Sequence, residues 1–205
     1  MLSSAALVPD IQPRAVLDFW FSPSGDSITT QTLHRPWLGL GPDWDSEVSR
    51  LFGPALTKAL AGGLKDWESE SESRLALIIL LDQLPRHAWR GQVQSLAGDE
   101  RAIRLALSGW RRGYFEPLSG EQKIAVLMPL LRSEFLSDQE LAAELLSQLP
   151  PSPEQAQCLR LNALQIDQLQ RFERLALRNE LLGRADTLAE TQWLAGQDLS
   201  EWNAG

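Results

Sequence analysis

Seven consecutive apolar residues, Leu75 to Leu81, run directly into a polar segment that contains Asp82, Gln83 and Arg86. A helix that is apolar on every side has no face for solvent, so this stretch is predicted to lie at the centre of the fold. Charged groups attached to such a stretch are expensive to bury unless they are paired. The same stretch therefore predicts both the core and a polar cluster beside it.

The composition is typical of a globular protein, and the net charge argues against some classes of binding partner. The chain has 205 residues, of which 43% are apolar and 22% charged, and this suits one domain with one core. We therefore predict a single all-helical domain over residues 1–205, with loose ends at 1–12 and 196–205. The formal net charge of −8 argues against nucleic-acid binding and against binding to an anionic membrane surface.

Cysteine usage and the distribution of apolar residues predict the compartment. The single cysteine, Cys158, excludes an intramolecular disulfide and a cysteine-rich zinc site. The N-terminus has no basic region followed by a long apolar stretch, so no signal peptide is expected. No window holds the run of about 18 apolar residues that a membrane-spanning helix requires. These features predict a protein of a reducing compartment, the cytoplasm.

Apolar residues recur at helical spacing along most of the chain, with short polar turns between the segments. This pattern predicts an all-α fold of about seven to nine helices packed as antiparallel hairpins, without strands. One predicted helix is long and runs from Ser152 to about Leu182. Helix starts are predicted at candidate N-cap residues: Asp45, Asp99, Ser119 with Gln122, Ser137 with Glu140, Ser152 with Gln155, and Thr187 with Glu190.

A second apolar run has the same arrangement as the first. Leu127 to Leu131 contains a proline and is followed by Arg132 and Glu134, much as Leu75 to Leu81 is followed by a proline and an arginine. If the two helices pack side by side, their polar ends meet in one pocket. The candidate ligand-binding cluster comprises ten residues: Asp82, Gln83, Arg86, Arg90, Arg132, Glu134, Asp138, Gln139, Arg178 and Asn179.

Two interpretations of this cluster stay open. Asp82 and Arg86 are four residues apart, a spacing that places both on one helix face. In the first interpretation the cluster is a buried salt-bridge network, in which arginines satisfy Asp82 and Glu134. In the second it is a ligand pocket, in which arginines hold an anionic group and a carboxylate acts as acid or base.

The sequence gives little evidence for a metal site, a reactive thiol or a cofactor site. His34 lies in a predicted loop over residues 22–42, and His87 has no second histidine at ligand spacing, so neither predicts a metal site. Cys158 has no histidine nearby and is expected to be a small core residue. No phosphate-binding loop, dinucleotide-binding glycine pattern or serine-hydrolase motif occurs, and no cofactor is predicted. One helix carries four arginines that are expected to form a solvated face: Arg101, Arg104, Arg111 and Arg112.

Several segments, in order along nearly the whole chain, resemble a family of uncharacterised bacterial proteins catalogued as domain of unknown function 924. The leucine-rich piece that ends in Asp82, Gln83, Pro85 and Arg86 is the most specific of them. The resemblance implies an all-helical, tetratricopeptide-like fold, and it implies no activity. The matching pieces are Val16 to Phe21, Gly63 to Trp67, Arg74 to Arg86, Arg90 with Gly91, Met128 with Pro129, Ser133 with Glu134, Asp138 with Gln139, Arg178 with Asn179, and Leu182 to Arg184.

The chain departs from the usual pattern of that family at its histidines. The family usually has histidine where this chain has Arg132 and Leu177, and another on the helix near Gln165. A Phe-Gly-Arg piece is replaced by Phe172, Glu173 and Arg174. Any chemistry that the family's histidines perform is therefore lost here or done by other groups.

The favoured prediction of function is a helical binding or scaffold module that recognises a peptide or protein partner on a concave face. A terminal carboxylate of such a partner would pair with Arg86, Arg90 or Arg132. The alternative is a small-molecule-binding protein or enzyme that uses Asp82 and Glu134 with those arginines, with a small anion as ligand. Neither a nucleic acid nor a membrane is expected as partner.

Overall fold

The computed structural model describes residues 11–21 and 42–197. Within these ranges the chain forms helices and turns and contains no strand, which confirms the predicted all-α class. Residues 22–41, where a loop containing His34 is predicted, lie outside the described residues, as do residues 1–10 and 198–205. The α-helices are α1 Pro13–Phe21, α2 Pro42–Leu60, α3 Ser71–Ile78, α4 Leu84–Ala88, α5 Asp99–Arg111, α6 Gly120–Leu131, α7 Leu136–Ser147, α8 Pro153–Phe172 and α9 Leu188–Ala195.

Helices that follow one another along the chain pack together in its second half, α5 on α6, α6 on α7 and α7 on α8. In the first half, α1 and α5 pack on α3, while α2 packs on α4. We call residues 75–86 the central stretch. Its apolar run is buried between these helices, and every residue from Leu75 to Leu81 is fully inaccessible to solvent. In the part of the chain described, no helix is both long and apolar enough to cross a membrane.

The central stretch changes its helical pitch where the polar residues begin. Residues Ile79–Gln83 form a π-helical turn between α3 and α4, in which the Leu84 N–H donates to the Ile79 carbonyl five residues back. Pro85 follows directly and has no N–H, so the carbonyl of Leu81 loses its usual helical donor. Single π-helical turns inside α-helices are frequent at functional sites. Asp82 lies within this one.

Gly98 lies against that Leu81 carbonyl. A Cβ atom added at Gly98 would stand 2.1 Å from the Leu81 oxygen and 2.8 Å from its carbonyl carbon. Only glycine fits at so short a backbone separation. Gly98 is the N-cap of α5, so this contact brings the start of α5 beside the π-helical turn.

Three of the predicted helix caps are confirmed. Ser119 with Gln122 and Thr187 with Glu190 form complete capping boxes, in which each side chain satisfies a backbone N–H of the other residue. The Ser152 side chain accepts from the Gln155 N–H at the start of α8. These positions follow directly from local sequence because a cap needs only groups within one turn.

Other predicted boundaries are wrong, each for a local reason. Asp45 lies inside α2, which begins three residues earlier, and Asp99 is the first helical residue of α5 after the Gly98 cap. The N-cap of α7 is Phe135 without a side-chain bond, so Ser137 is not a cap. The long helix ends at Phe172 because Glu173 adopts a left-handed backbone with φ 59°.

Arg101 is not part of a solvated arginine face. Its guanidinium donates to the carbonyls of Ala59 (2.7 Å) and Gly63 (2.9 Å) and to the Glu68 carboxylate (2.7 Å). The last carbonyls of a helix lack internal donors, so Arg101 caps the C-terminus of α2 from α5. Arg104, Arg111 and Arg112 are exposed, as expected.

Candidate functional site

A buried ion pair lies at the junction of the π-helical turn and α4. The Asp82 Oδ1 and Arg86 Nη1 atoms are 3.1 Å apart, and Arg86 also donates to the Asp82 main-chain carbonyl. The spacing of four residues places the two side chains on one face, as the sequence indicates. Pro85 does not interrupt this pair because the helix continues through it as α4.

Arg132 reaches the same carboxylate from the end of α6. Its Nη1 donates to Asp82 Oδ2 at 2.6 Å. Arg132 is the C-cap residue of α6 and follows the second apolar run, so the two polar ends that were expected to meet do so here. Asp82 is thereby held between two guanidinium groups from two different elements.

Asp99 joins the group from the start of α5. Its Oδ2 accepts from Arg86 Nη2 at 2.8 Å, so Arg86 bridges the two aspartates. The sequence presents Asp99 only as a helix cap, since an acid at a helix start is so common that it carries no functional signal. The close contact of Gly98 with Leu81 is what places it here.

Arg178 completes the group from a 3-10 turn, Ala176–Arg178, that follows α8. It donates to the Arg132 main-chain carbonyl, and its Nη2 lies 3.9 Å from Asp99 Oδ2, beyond hydrogen-bond distance. Burial and the charge of Arg86 lower the pKa of Arg178 to about 10. The arginine is therefore charged at neutral pH in surroundings that disfavour its charge.

We call these five residues the charge cluster: Asp82, Arg86, Asp99, Arg132 and Arg178. It contains three guanidinium groups and two carboxylates, and so carries one surplus positive charge. The side chains of Asp82 and Arg86 are 0% and 4% exposed, whereas those of Arg132, Arg178 and Asp99 are 13%, 18% and 19% exposed. The cluster therefore has a dry end at Asp82 and a partly solvated end at Arg178 and Asp99.

Unsatisfied polar atoms occur in the cluster. Asp99 Oδ1 is buried and accepts no hydrogen bond from any described residue. Asp82 Oδ1 is in the same state, because its contact with Arg86 lacks hydrogen-bond alignment. The pKa of Asp99 is raised, mainly by burial. The charge of Arg86 lowers this pKa and the charge of Asp82 raises it, and the net direction is upward. Buried acceptors of this kind are rare in proteins and indicate water or a ligand.

Glu134 lies near the charge cluster but has partners of its own. Its carboxylate accepts from Arg184 at 2.7 and 3.1 Å and from the Leu175 N–H at 2.9 Å. Burial would raise the pKa of Glu134, but these bonds and the charge of Arg178 outweigh it and leave the pKa lowered. Glu134 thus ties the α6–α7 turn to the segment after α8.

The four other polar candidates on these elements bind main-chain carbonyls or side chains outside the charge cluster. The Gln83 amide donates to the Ala125 carbonyl at 2.8 Å, and Asp138 accepts from Ser133 Oγ at 2.6 Å. Asn179 donates to Asp186 at 2.6 Å. Gln139 donates to the Leu131 and Ser133 carbonyls on either side of Arg132. These contacts position the backbone around Arg132 and Arg178.

Arg90 belongs to a different group of residues. It donates to both oxygens of Asp45, at 2.6 and 2.9 Å, and His87 Nδ1 lies 3.0 Å from the same carboxylate. His87 therefore packs against α2. This second group links α4 to α2 and is separate from the charge cluster in its contacts.

No group of three or more His, Cys, Asp or Glu residues that could hold a metal ion occurs in residues 11–21 and 42–197. Cys158 is buried on α8, and burial raises the pKa of its thiol to about 11. A thiol with that pKa is protonated at neutral pH and is a poor nucleophile.

Comparison with known proteins supports the resemblance noted from the sequence. The family described as "Bacterial protein of unknown function (DUF924)" matches residues 16–198. A protein of unknown function from Agrobacterium tumefaciens has a similar solved structure, with 28% identity, a TM-score of 0.77, and coverage of 90% of this chain and 97% of that one. No curated protein matches the chain. This chain belongs to the bacterial family of unknown function DUF924.

Proposed function

We propose that this protein binds a small anionic ligand at the charge cluster. The observation that carries the proposal is the surplus guanidinium of Arg178 at the partly solvated end. Asp99, the nearest carboxylate, is already bonded to Arg86, so the positive charge of Arg178 is left without a carboxylate in hydrogen-bond contact. Guanidinium groups from separate elements that converge at a partly dry site suit the recognition of carboxylate or phosphate.

The peptide or protein hypothesis fits this geometry less well. It assigned a partner's carboxylate to Arg86, Arg90 or Arg132, and these three residues do not form one surface. Arg86 is buried and bonded to both aspartates, while Arg90 is bonded to Asp45 in the second group. Of these three arginines, only Arg132 is both a member of the charge cluster and partly exposed. We therefore favour a ligand small enough to enter between Arg132 and Arg178.

Replacement of Arg178 by methionine separates a binding role from a structural one. We expect Arg178→Met to abolish binding of glycolate and phosphate in titration calorimetry, because the surplus charge is lost. We also expect its melting temperature to equal or exceed that of the wild type. The lowered pKa of Arg178 means that its charge opposes folding at neutral pH, and methionine removes that cost.

The matched control is Arg171→Met. Arg171 is a largely exposed arginine paired with Asp167 four residues earlier on α8, and its loss should leave both anion binding and melting temperature unchanged. If Arg178→Met binds anions like the wild type, the proposal is wrong. If peptides with a free C-terminus bind while small anions do not, the scaffold hypothesis replaces it.

Anion affinity should rise as the pH falls. The groups that face Asp99 from other elements are Asp82, Arg86, Arg132 and Arg178, and the arginines keep their charge over this range. Since the pKa of Asp99 is raised, lowering the pH toward it removes one negative charge from the cluster. One linked proton changes the affinity for sulfate, whose own charge is constant, by at most about tenfold per pH unit over the range in which Asp99 takes up its proton. Asp99→Asn should abolish this dependence in calorimetry, and persistence of the full slope in that variant would contradict it.

A further inference from the structure

On the basis of the proposed function, we infer that the ligand is a singly charged anion that also carries its own O–H or N–H donor. Dihydrogen phosphate, which carries a single negative charge, and small hydroxycarboxylates belong to this class, whereas acetate and sulfate lack a donor.

Charge balance sets the first requirement. Three guanidinium groups face two carboxylates, and one negative charge brings the cluster to neutrality. The surplus lies at the partly solvated end, because Asp82 is shared by Arg86 and Arg132 at the dry end. A ligand anion is therefore held between Arg178 and Arg132.

The unsatisfied carboxylate oxygens set the second requirement. Guanidinium groups only donate hydrogen bonds and carboxylates only accept them. Asp99 Oδ1 is buried and accepts nothing from the described residues, and Asp82 Oδ1 lacks an aligned donor as well. An anion without a donor would place its own oxygens near Asp99 and meet repulsion instead of a hydrogen bond. An anion with an O–H group would satisfy Arg178 and Asp99 together.

Sites that are built to hydrogen-bond a hydroxyl reject analogues that lack it, because a buried partner is left unpaired. The charge cluster should therefore discriminate between anions of similar size and charge by their donor. Asp99 is the residue through which it does so, since its Oδ2 is engaged by Arg86 while its Oδ1 is not.

The test compares glycolate with acetate and phosphate with sulfate, on the full chain at constant ionic strength, by titration calorimetry. We expect glycolate to bind at least about tenfold more tightly than acetate, and phosphate at least about tenfold more tightly than sulfate. In Asp99→Asn the amide oxygen still accepts from Arg86 and the amide nitrogen offers a donor to the ligand. Both ratios should then fall to about one, with acetate and sulfate binding more tightly than to the wild type.

The outcomes separate the two proposals. If none of the four anions binds the wild type, the anion-binding function itself is wrong. If all four bind with affinities that follow charge alone, the function stands and the requirement for a donor is overturned. The affinity ratios of glycolate to acetate and of phosphate to sulfate in the wild type are enough to test the requirement for a donor. The test is therefore valid even if Asp99→Asn is poorly folded. Circular dichroism of that variant checks its fold, and a folded Asp99→Asn that keeps both ratios also overturns the inference.

Discussion

We expect Asp82→Asn to lower the free energy of unfolding by about 3–5 kcal/mol at neutral pH, because it removes one partner of a buried ion pair. Asp82 is fully buried and pairs with Arg86 at 3.1 Å and with Arg132 at 2.6 Å. Without its charge, three guanidinium groups would share Asp99 as the only carboxylate of the cluster. Denaturant unfolding followed by circular dichroism measures the change.

Asp18→Asn provides the matched control. Asp18 also pairs with an arginine four residues away in the same helix, Arg14, but the two side chains are 59% and 73% exposed. Exposed pairs of this kind contribute roughly 0–1 kcal/mol, so the variant should unfold like the wild type. Equal effects of the two substitutions would show that Asp82 contributes no stability and that its charge is retained only for a ligand.

Gly98→Ala is expected to destabilise the protein by about 3 kcal/mol or more, at the upper end of overpacking effects. The added Cβ would stand 2.1 Å from the Leu81 carbonyl oxygen. That oxygen belongs to the backbone of the buried central stretch, so it cannot rotate away as a side chain would. Relief requires α5 to move, and this separates Asp99 from Arg86. Thermal and denaturant unfolding report the loss of stability.

Gly53→Ala is the control for Gly98→Ala. Gly53 lies inside α2, and an added Cβ there meets no atom within 4 Å. Alanine in a helix interior is more favourable than glycine by roughly 0.5–1 kcal/mol, so this variant should be more stable than the wild type. A Gly98→Ala protein as stable as the wild type would mean that α5 is not fixed by the contact with Leu81.

Asp82→Asn and Gly98→Ala affect different ends of the charge cluster. Asp82, Arg86 and Arg132 form the dry end, where loss of a partner is expected to cost stability. Arg178 and Asp99 form the partly solvated end, where the charge of Arg178 opposes folding. A residue whose charge is retained at a cost to stability is typical of a functional site.

Much of the fold follows from local sequence. The run Leu75 to Leu81 has no polar face, and it is buried as its composition predicts. The capping boxes at Ser119 and Thr187 were readable because both partners lie within one turn. The end of α8 at Phe172 could not be predicted from the sequence. Glu173 ends the helix in a left-handed conformation, and a glutamate side chain does not indicate that conformation.

Only part of the candidate site can be predicted from the sequence. Asp82 and Arg86 share a helix, and Arg132 follows an apolar run of the same kind, so the three were predicted together. Arg90 is only four residues beyond Arg86, yet it pairs with Asp45. Nearness in sequence misled there, because the chain turns away after α4 ends at Ala88.

The helical class, the buried central stretch and the pairing of Asp82 with Arg86 can all be predicted from the amino-acid sequence. They depend on helical periodicity and on the cost of burying unpaired charge, which act over a few residues. The placement of Asp99 and Arg178 in the charge cluster, from the start of α5 and the turn after α8, follows instead from the packing of the helices. Their positions depend on how closely separate helices approach, and the contact between Gly98 and the Leu81 carbonyl sets one of those distances. Such a contact joins residues far apart in the chain and leaves no periodic trace in the sequence.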